Sequence, residues 1–194
     1  STFNSKFSST VNAIKKNDDD TLTIITGDDS ITTNKLIWTG NLNDLTKLVE
    51  KESNSNKQSN VNYLNTRFVN ITLKEKYISN NKAQWIYISD GSLMISRITC
   101  MKEFCPTTCK PGYYNLICEV TESQSTRKED RLDKTKLALK VIDELHKINF
   151  IKAKSAIEDF HVEDIKDTYP IYSRDYKKRF GNAVKTIKSF SANI

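Results

Sequence analysis

The chain has 194 residues, of which 28% are charged and 37% hydrophobic, with a formal net charge of +6 and a pI near 9.0. That length buries a real core in one domain, or in a domain with a smaller appendage, and a mean hydropathy of −0.56 places the chain at the polar end of globular proteins. No stretch reaches the length of an apolar membrane span, and the first residues show no basic segment followed by an apolar one, which excludes a membrane-spanning helix and gives a cytoplasmic protein as the expectation.

In chain order, three apolar runs come first: Val11 and Ile14, then Leu22, Ile24 and Ile25, then Leu36, Ile37 and Trp38. Their spacing predicts a small strand meander, with Gly27 to Ser30 as a turn because Gly and Asp tolerate the dihedrals of a tight reversal. Asn41 or Asn43 caps a short helix in which Leu42, Leu45, Leu48 and Val49 recur at threes and fours. Residues 51–60 hold two lysines and one glutamate among Ser, Asn and Gln, the composition of a loop.

Strand patterns return from Val61 to Glu122, with Phe68, Val69, Ile71 and Leu73 in one run and Trp85 to Ile88 in the next. Asp90-Gly91-Ser92 and Lys110-Pro111-Gly112 mark turns before Leu93 to Phe104 and before Tyr113 to Val120. Several antiparallel strands fit this best. Arg127 to His146 reads as a helix from Leu132, Leu139, Ile142 and Leu145, capped by Ser125 or Thr126. A strand is expected at Glu158 to Ile165. Ser173 is placed to cap a last helix in which Tyr176, Phe180, Val184 and Ile187 line one face.

The expected class is therefore α+β, mostly antiparallel sheet with helices packed on one face. The expected division is 1–50 as a strand meander and short helix, 51–60 as a loop, and 61–194 as an α+β region. Four cysteines, Cys100, Cys105, Cys109 and Cys118, fall in the pattern C-x4-C-x3-C-x8-C, which lacks the short C-x2-C knuckles that aim two thiolates at one zinc. Buried reduced thiols are the favoured reading. The thirty basic residues are scattered among twenty-four acidic ones, the pattern of a solvated surface.

Two sets of segments stand out, at the C-terminal end Asp167-Thr168-Tyr169-Pro170-Ile171-Tyr172 and the amphipathic run from Tyr176 to Phe190, and toward the N-terminus Val11-Asn12-Ala13-Ile14, Thr21 to Asp28 and Lys35 to Gly40. Between them come Trp85 to Ile88, Ser96-Arg97-Ile98 and Lys102-Glu103-Phe104. In this order the segments resemble the mutase-like branch (UDP-galactopyranose mutase) of the FAD-dependent amine-oxidase flavoprotein superfamily. The resemblance implies that residues 1–50 close the edge of a cofactor domain, with Val11 beside the adenine end of FAD and Thr39 and Gly40 near the cofactor. It also implies a substrate domain in residues 61–194, with Arg97, Tyr169, Trp85 and Glu119 as substrate-binding residues. Arg97 suits a phosphate through its planar fork of donors, and equally suits an ion pair with Glu103 or Glu119.

The chain departs from the resemblance in its cysteine-bearing stretch and in two further respects. It has no G-x-G-x-x-G after an initial strand, so a pyrophosphate has no helix N-terminus to sit on, and it has no terminal Gly-Arg segment leading into a last helix. The expectation is thus the substrate-binding portion of an FAD-dependent oxidoreductase or mutase, inactive by itself, whose partners are flanking cofactor-binding segments and a small nucleotide-sugar or amine substrate. The competing expectation is a non-enzymatic module for an anionic partner such as nucleic acid, with Tyr63, Phe68, Tyr77, Trp85, Tyr87 and Tyr113 as stacking rings. Aromatics at strand positions serve the core more often, and this disfavours nucleic acid.

Overall fold

The computed structural model describes residues 4–53, 60–79, 83–123 and 131–194. The chain divides into two compact units, Ser1–Asn62 with Ile171–Ile194, and Tyr63–Pro170. No helix among the described residues is long and apolar enough to cross a membrane.

In the first unit, β1 (Ala13–Lys16), β2 (Leu22–Thr26) and β3 (Asp29–Thr33) form an antiparallel meander. The β2–β3 turn is only two residues long, since Thr26 pairs with Asp29 across Gly27 and Asp28. Gly27 makes this possible by taking φ +59°, a conformation that a side chain would strain. The third strand therefore starts at Asp29, earlier than the apolar run Leu36 to Trp38 suggested. That run is irregular instead: Leu36 and Trp38 pack on the core while Ile37 is 88% exposed.

Helix α1 (Leu42–Ser53) starts where the Asn41 carboxamide oxygen accepts the Asn43 N–H at 2.7 Å, so Asn41 is the cap. Asn43 instead holds the Val61 main chain, donating to its carbonyl at 2.8 Å and accepting its N–H at 2.9 Å. Helix α4 (Tyr176–Phe190) packs with α1. Ile14, Leu22, Ile24, Leu45, Val49 and Ile187 make the core of this unit. The cap position of α4 belongs to Asp175 and not to Ser173, whose hydroxyl hydrogen-bonds the Asp175 carboxylate at 2.6 Å.

The second unit is a five-stranded antiparallel sheet in the order β5-β6-β7-β4-β8. Its strands are β4 (Tyr63–Lys74), β5 (Trp85–Tyr87), β6 (Arg97–Cys100), β7 (Tyr113–Ser123) and β8 (Ile157–Pro170), with the short helix α2 (Met101–Phe104) after β6. Helix α3 (Lys134–Lys147) covers one face. Leu137, Val141 and Leu145 pack there against Val69, Ile71, Ile98, Leu116 and Val162. Period-2 alternation turns Phe68 and Asn70 of β4, Arg97 and Thr99 of β6, and Ile117, Glu119 and Thr121 of β7 to the opposite face.

Helix α3 begins later than expected because Asp133, not Ser125 or Thr126, caps it by accepting the Lys136 N–H at 2.8 Å; residues 125 and 126 lie outside the described residues. Strand β8 runs beyond the expected 158–165 at both ends, since β4 offers a partner from Leu73 to Tyr63. Cys100 and Cys118 are buried on the α3 face, Cys109 is buried and Cys105 exposed, none of them in a disulfide. Burial pushes the Cys118 thiol far above its usual pKa. Among the described residues no group of three or more His, Cys, Asp or Glu is placed to hold a metal.

One buried carboxylate ties α3 to the segment that leads into β6. Glu144, on the inner side of α3, accepts the main-chain N–H of Met94 at 2.9 Å and of Ile95 at 3.2 Å. Glu144→Ala leaves a buried donor unpaired and is expected to lower unfolding stability by about 3 kcal/mol, with Glu144→Gln costing less. Urea denaturation followed by circular dichroism checks both.

Candidate functional site

The open face of the sheet carries a cluster that starts from a local irregularity. Ser96 and Arg97 both face the single residue Glu119: the Ser96 N–H and hydroxyl donate to the Glu119 carbonyl at 2.8 and 3.0 Å, and Arg97 is the register partner of Glu119. Two residues opposite one is the arrangement of a β-bulge, which interrupts regular pairing. Arg97 faces the open side by the alternation of β6, and beyond it β6 stops pairing with β7 at Glu119, whereas β7 continues along β4 to Ser123.

The Arg97 guanidinium pairs with Glu119, its Nε at 2.8 Å from Oε1 and its Nη2 also on Oε1. Arg97 Nη2 donates to the Tyr169 hydroxyl at 3.1 Å, and that hydroxyl donates to Glu119 Oε2 at 3.0 Å, closing a ring of three side chains from three strands. Arg97 Nη1 reaches the Tyr87 hydroxyl at 3.3 Å. The guanidinium centre lies 5.7 Å from the Tyr87 ring and 5.8 Å from the Trp85 ring, within range of cation–π attraction. Glu119 is only 3% exposed, while Trp85 is 53% and Tyr87 71% exposed.

Burial works against the charge on Arg97, yet the hydrogen bonds from Tyr87 and Glu119 and the Glu119 charge more than reverse this and hold its pKa above the usual value. The Tyr169 phenol is raised above its ordinary pKa, first by burial and then by the hydrogen bond and charge of Glu119, with Arg97 opposing. A cavity of about 250 Å³ opens here, lined by Tyr87, Ser96, Arg97, Glu119, Thr121 and Tyr169.

The structure thus brings Arg97, Tyr169, Trp85 and Glu119 together. It also settles the charge pairing of Arg97: Glu119 is the partner, and Glu103 hydrogen-bonds the Tyr114 hydroxyl instead. Sequence reasoning did not single out Tyr87, Ser96 and Thr121 for this site. Tyr87 was legible as the residue two places after Trp85 on the same strand face, but the bulge that brings in Ser96 left no mark in the residue order. Among the other expected stacking rings, Tyr63, Phe68, Tyr77 and Tyr113 are half-buried.

The residues implied to face FAD lie in the other unit. Val11 lines a cavity of about 350 Å³ with Trp38, Lys47, Leu48 and Lys51. Thr39 and Gly40 are exposed and follow Trp38 outside that lining. The open side of Gly40 is taken by the Trp38 indole, which a Cβ there would meet at 3.1 Å.

No protein-family model matches the sequence, and no curated protein matches it. Among solved structures the chain is similar to reduced UDP-galactopyranose mutase, with a TM-score of 0.67 and 18% identity over 87% of this chain and 36% of that one. It is similar to a putative protoporphyrinogen oxidase from Exiguobacterium sp. 255-15, with a TM-score of 0.61 and 12% identity over 96% of this chain and 40% of that one. It is also similar to cyclohexylamine oxidase from Brevibacterium oxydans IH-35A, with a TM-score of 0.51 and 12% identity over 90% of this chain and 39% of that one. These are amine-oxidase-like flavoproteins, and the shared feature is the fold: the α+β arrangement of antiparallel sheet with helices on one face. The chain spans about two fifths or less of the length of each.

Two measurements test the ring of side chains. Arg97→Ala strands a buried carboxylate and is expected to cost about 3 kcal/mol, whereas the double replacement Arg97→Met with Glu119→Leu recovers most of that loss; denaturant titration reads both. The raised phenol pKa favours the protonated form in the folded state. Its contribution is complete below the ordinary tyrosine pKa of about 10 and is lost as pH rises through the folded value. Tyr169→Phe is therefore expected to flatten the alkaline fall in stability, measured as unfolding free energy from about pH 9 upward.

Proposed function

We propose that this chain is the substrate-binding portion of an FAD-dependent oxidoreductase or of a UDP-galactopyranose-mutase-like flavoenzyme, and that it is not catalytically competent by itself. One observation carries the reading: the fold likeness takes in 87–96% of this chain but only 36–40% of the flavoproteins it matches. In this reading the open sheet face meets the substrate, and flanking segments of the parent protein hold the cofactor.

The residues on hand do not make a dinucleotide cradle. The sequence has no G-x-G-x-x-G, and the close approach that Gly40 would offer to a phosphate is filled by Trp38. Val11, Thr39 and Gly40 are at most an edge of the cofactor site, and the flavin chemistry belongs to the parent. What this chain contributes is placement. Arg97, Glu119 and Tyr169 hold one another rigidly, and Trp85 and Tyr87 present aromatic surface and the Tyr87 hydroxyl to a small molecule, for which a nucleotide sugar and an amine are the two candidates.

The purified chain is expected to carry no visible flavin absorbance. Joined to the flanking coding segments, it is expected to copurify with FAD, and Arg97→Ala in the joined protein is expected to weaken turnover by roughly tenfold to a hundredfold while flavin is retained. Stoichiometric flavin on the chain alone, or flanking segments with no phosphate-binding loop, overturns the reading.

A further inference from the structure

The 250 Å³ cavity at Arg97 has a neighbour of about 410 Å³ in the same unit, and Ser96 and Thr121 line both. Both lie beside the point where the β6–β7 pairing ends. Among the described residues, the side of β7 that faced β6 has no strand partner beyond Glu119, and the chain from Ile88 to Ser96 stands off from it beside the larger cavity. Ile88, Leu93, Met94, Val120 and Leu132 give that cavity apolar walls.

The two cavities are also matched in charge. In the larger one Arg67 is buried and pairs with Asp164 at 2.8 Å, donates to the Leu132 carbonyl at 2.7 Å and lies 3.7 Å from Glu122. Arg131 pairs with Glu122 at 2.7 Å. In the smaller one Arg97 is paired with Glu119. Asp90 sits at the exposed rim, bound to the Ser92 N–H at 2.9 Å. Each arginine that lines the cavities already has a carboxylate, and of the lining carboxylates only Asp90, at the exposed rim, lacks an arginine partner among the described residues, so a charged ligand would lose its hydration for at most a solvent-screened counter-charge. An uncharged ligand meets aromatic rings at one end and aliphatic walls at the other.

We propose that these cavities form one continuous subsite for an uncharged, elongated molecule, with a ring against Tyr87 and an aliphatic portion running past Ser96 and Thr121 toward Val120 and Leu132. This rests on the reading of the open face as the substrate side, and narrows it: the charged group of a nucleotide sugar or of an amine stays outside these cavities, which take the uncharged portion, because Arg97 is a held, neutralised group rather than a receptor for a diphosphate. Glu119 then sets specificity, because its carboxylate cancels the charge that an anion would seek.

The test uses three molecules alike but for charge, 4-butylbenzyl alcohol, 4-butylbenzylamine and 4-butylbenzoate, titrated into the chain while amide NMR shifts are followed. The alcohol is expected to shift Tyr87 and Arg97 together with Ile88 and Val120, and to bind at least about tenfold more tightly than either charged analogue. Glu119→Gln is expected to raise benzoate affinity by about tenfold by releasing Arg97, and Thr121→Leu, at an exposed position, to weaken the alcohol by a similar factor. Tightest binding of benzoate by the unaltered chain, shifts confined to one cavity, or no binding by any of the three overturns the proposal. Flavin retention by the joined protein reports on the proposed function separately: its loss with intact alcohol binding fails that reading alone, and the reverse outcome fails this one.

Discussion

A carboxylate removed from water in the middle of a sheet has to be satisfied, and in this protein the answer to Glu119 organises the open face. Arg97 supplies the charge and Tyr169 the remaining hydrogen bond, so side chains from β6, β7 and β8 are locked to a common point. The cost of burying such an ion is several kcal/mol unless its partners are in place, which is why removing Arg97 is more damaging than replacing the pair. The regular register of β6 and β7 sets Arg97 opposite Glu119, and the bulge at Ser96 then releases the edge of β7 from its neighbour.

The two faces of the same sheet have divided their tasks. On one, α3 buries Leu137, Val141 and Leu145 against the strands, and Glu144 secures the incoming Met94–Ile95 main chain with a second buried carboxylate. Away from the cavity beside Arg67, Val120 and Leu132, that face is filled. The other keeps Trp85 and Tyr87 in solvent beside the locked arginine. Rigid backing behind an exposed aromatic surface is what a binding face needs, since a preorganised surface loses little entropy when a ligand settles on it.

The likeness to the mutase and oxidase structures gives these features a setting without assigning a reaction. At 12–18% identity the shared property is how strands and helices are arranged, and side chains are free to differ. The pairing of Arg97 with Glu119 matters for that reason. At a site on such a fold, the electrostatics of its own side chains decide which charges it admits.

The order of residues by itself determined the strand-rich middle, the amphipathic α1, α3 and α4, and the antiparallel α+β class, because hydrophobic periodicity and turn residues act locally. It also held the resemblance that implied Arg97, Tyr169, Trp85 and Glu119 as a substrate-binding set; their meeting on the open face is a finding of the structure. Tertiary structure decided the rest. Leu36 to Trp38 has the composition of a strand, but Gly27 closes the hairpin after two residues and uses up the strand positions first. Ser173 has the chemistry of a cap, yet Asp175 holds that position. That Glu119 rather than Glu103 neutralises Arg97, and that Ser96 and Thr121 join two cavities, depends on cross-strand register and on a one-residue bulge, and a linear sequence does not record which residues stand opposite each other.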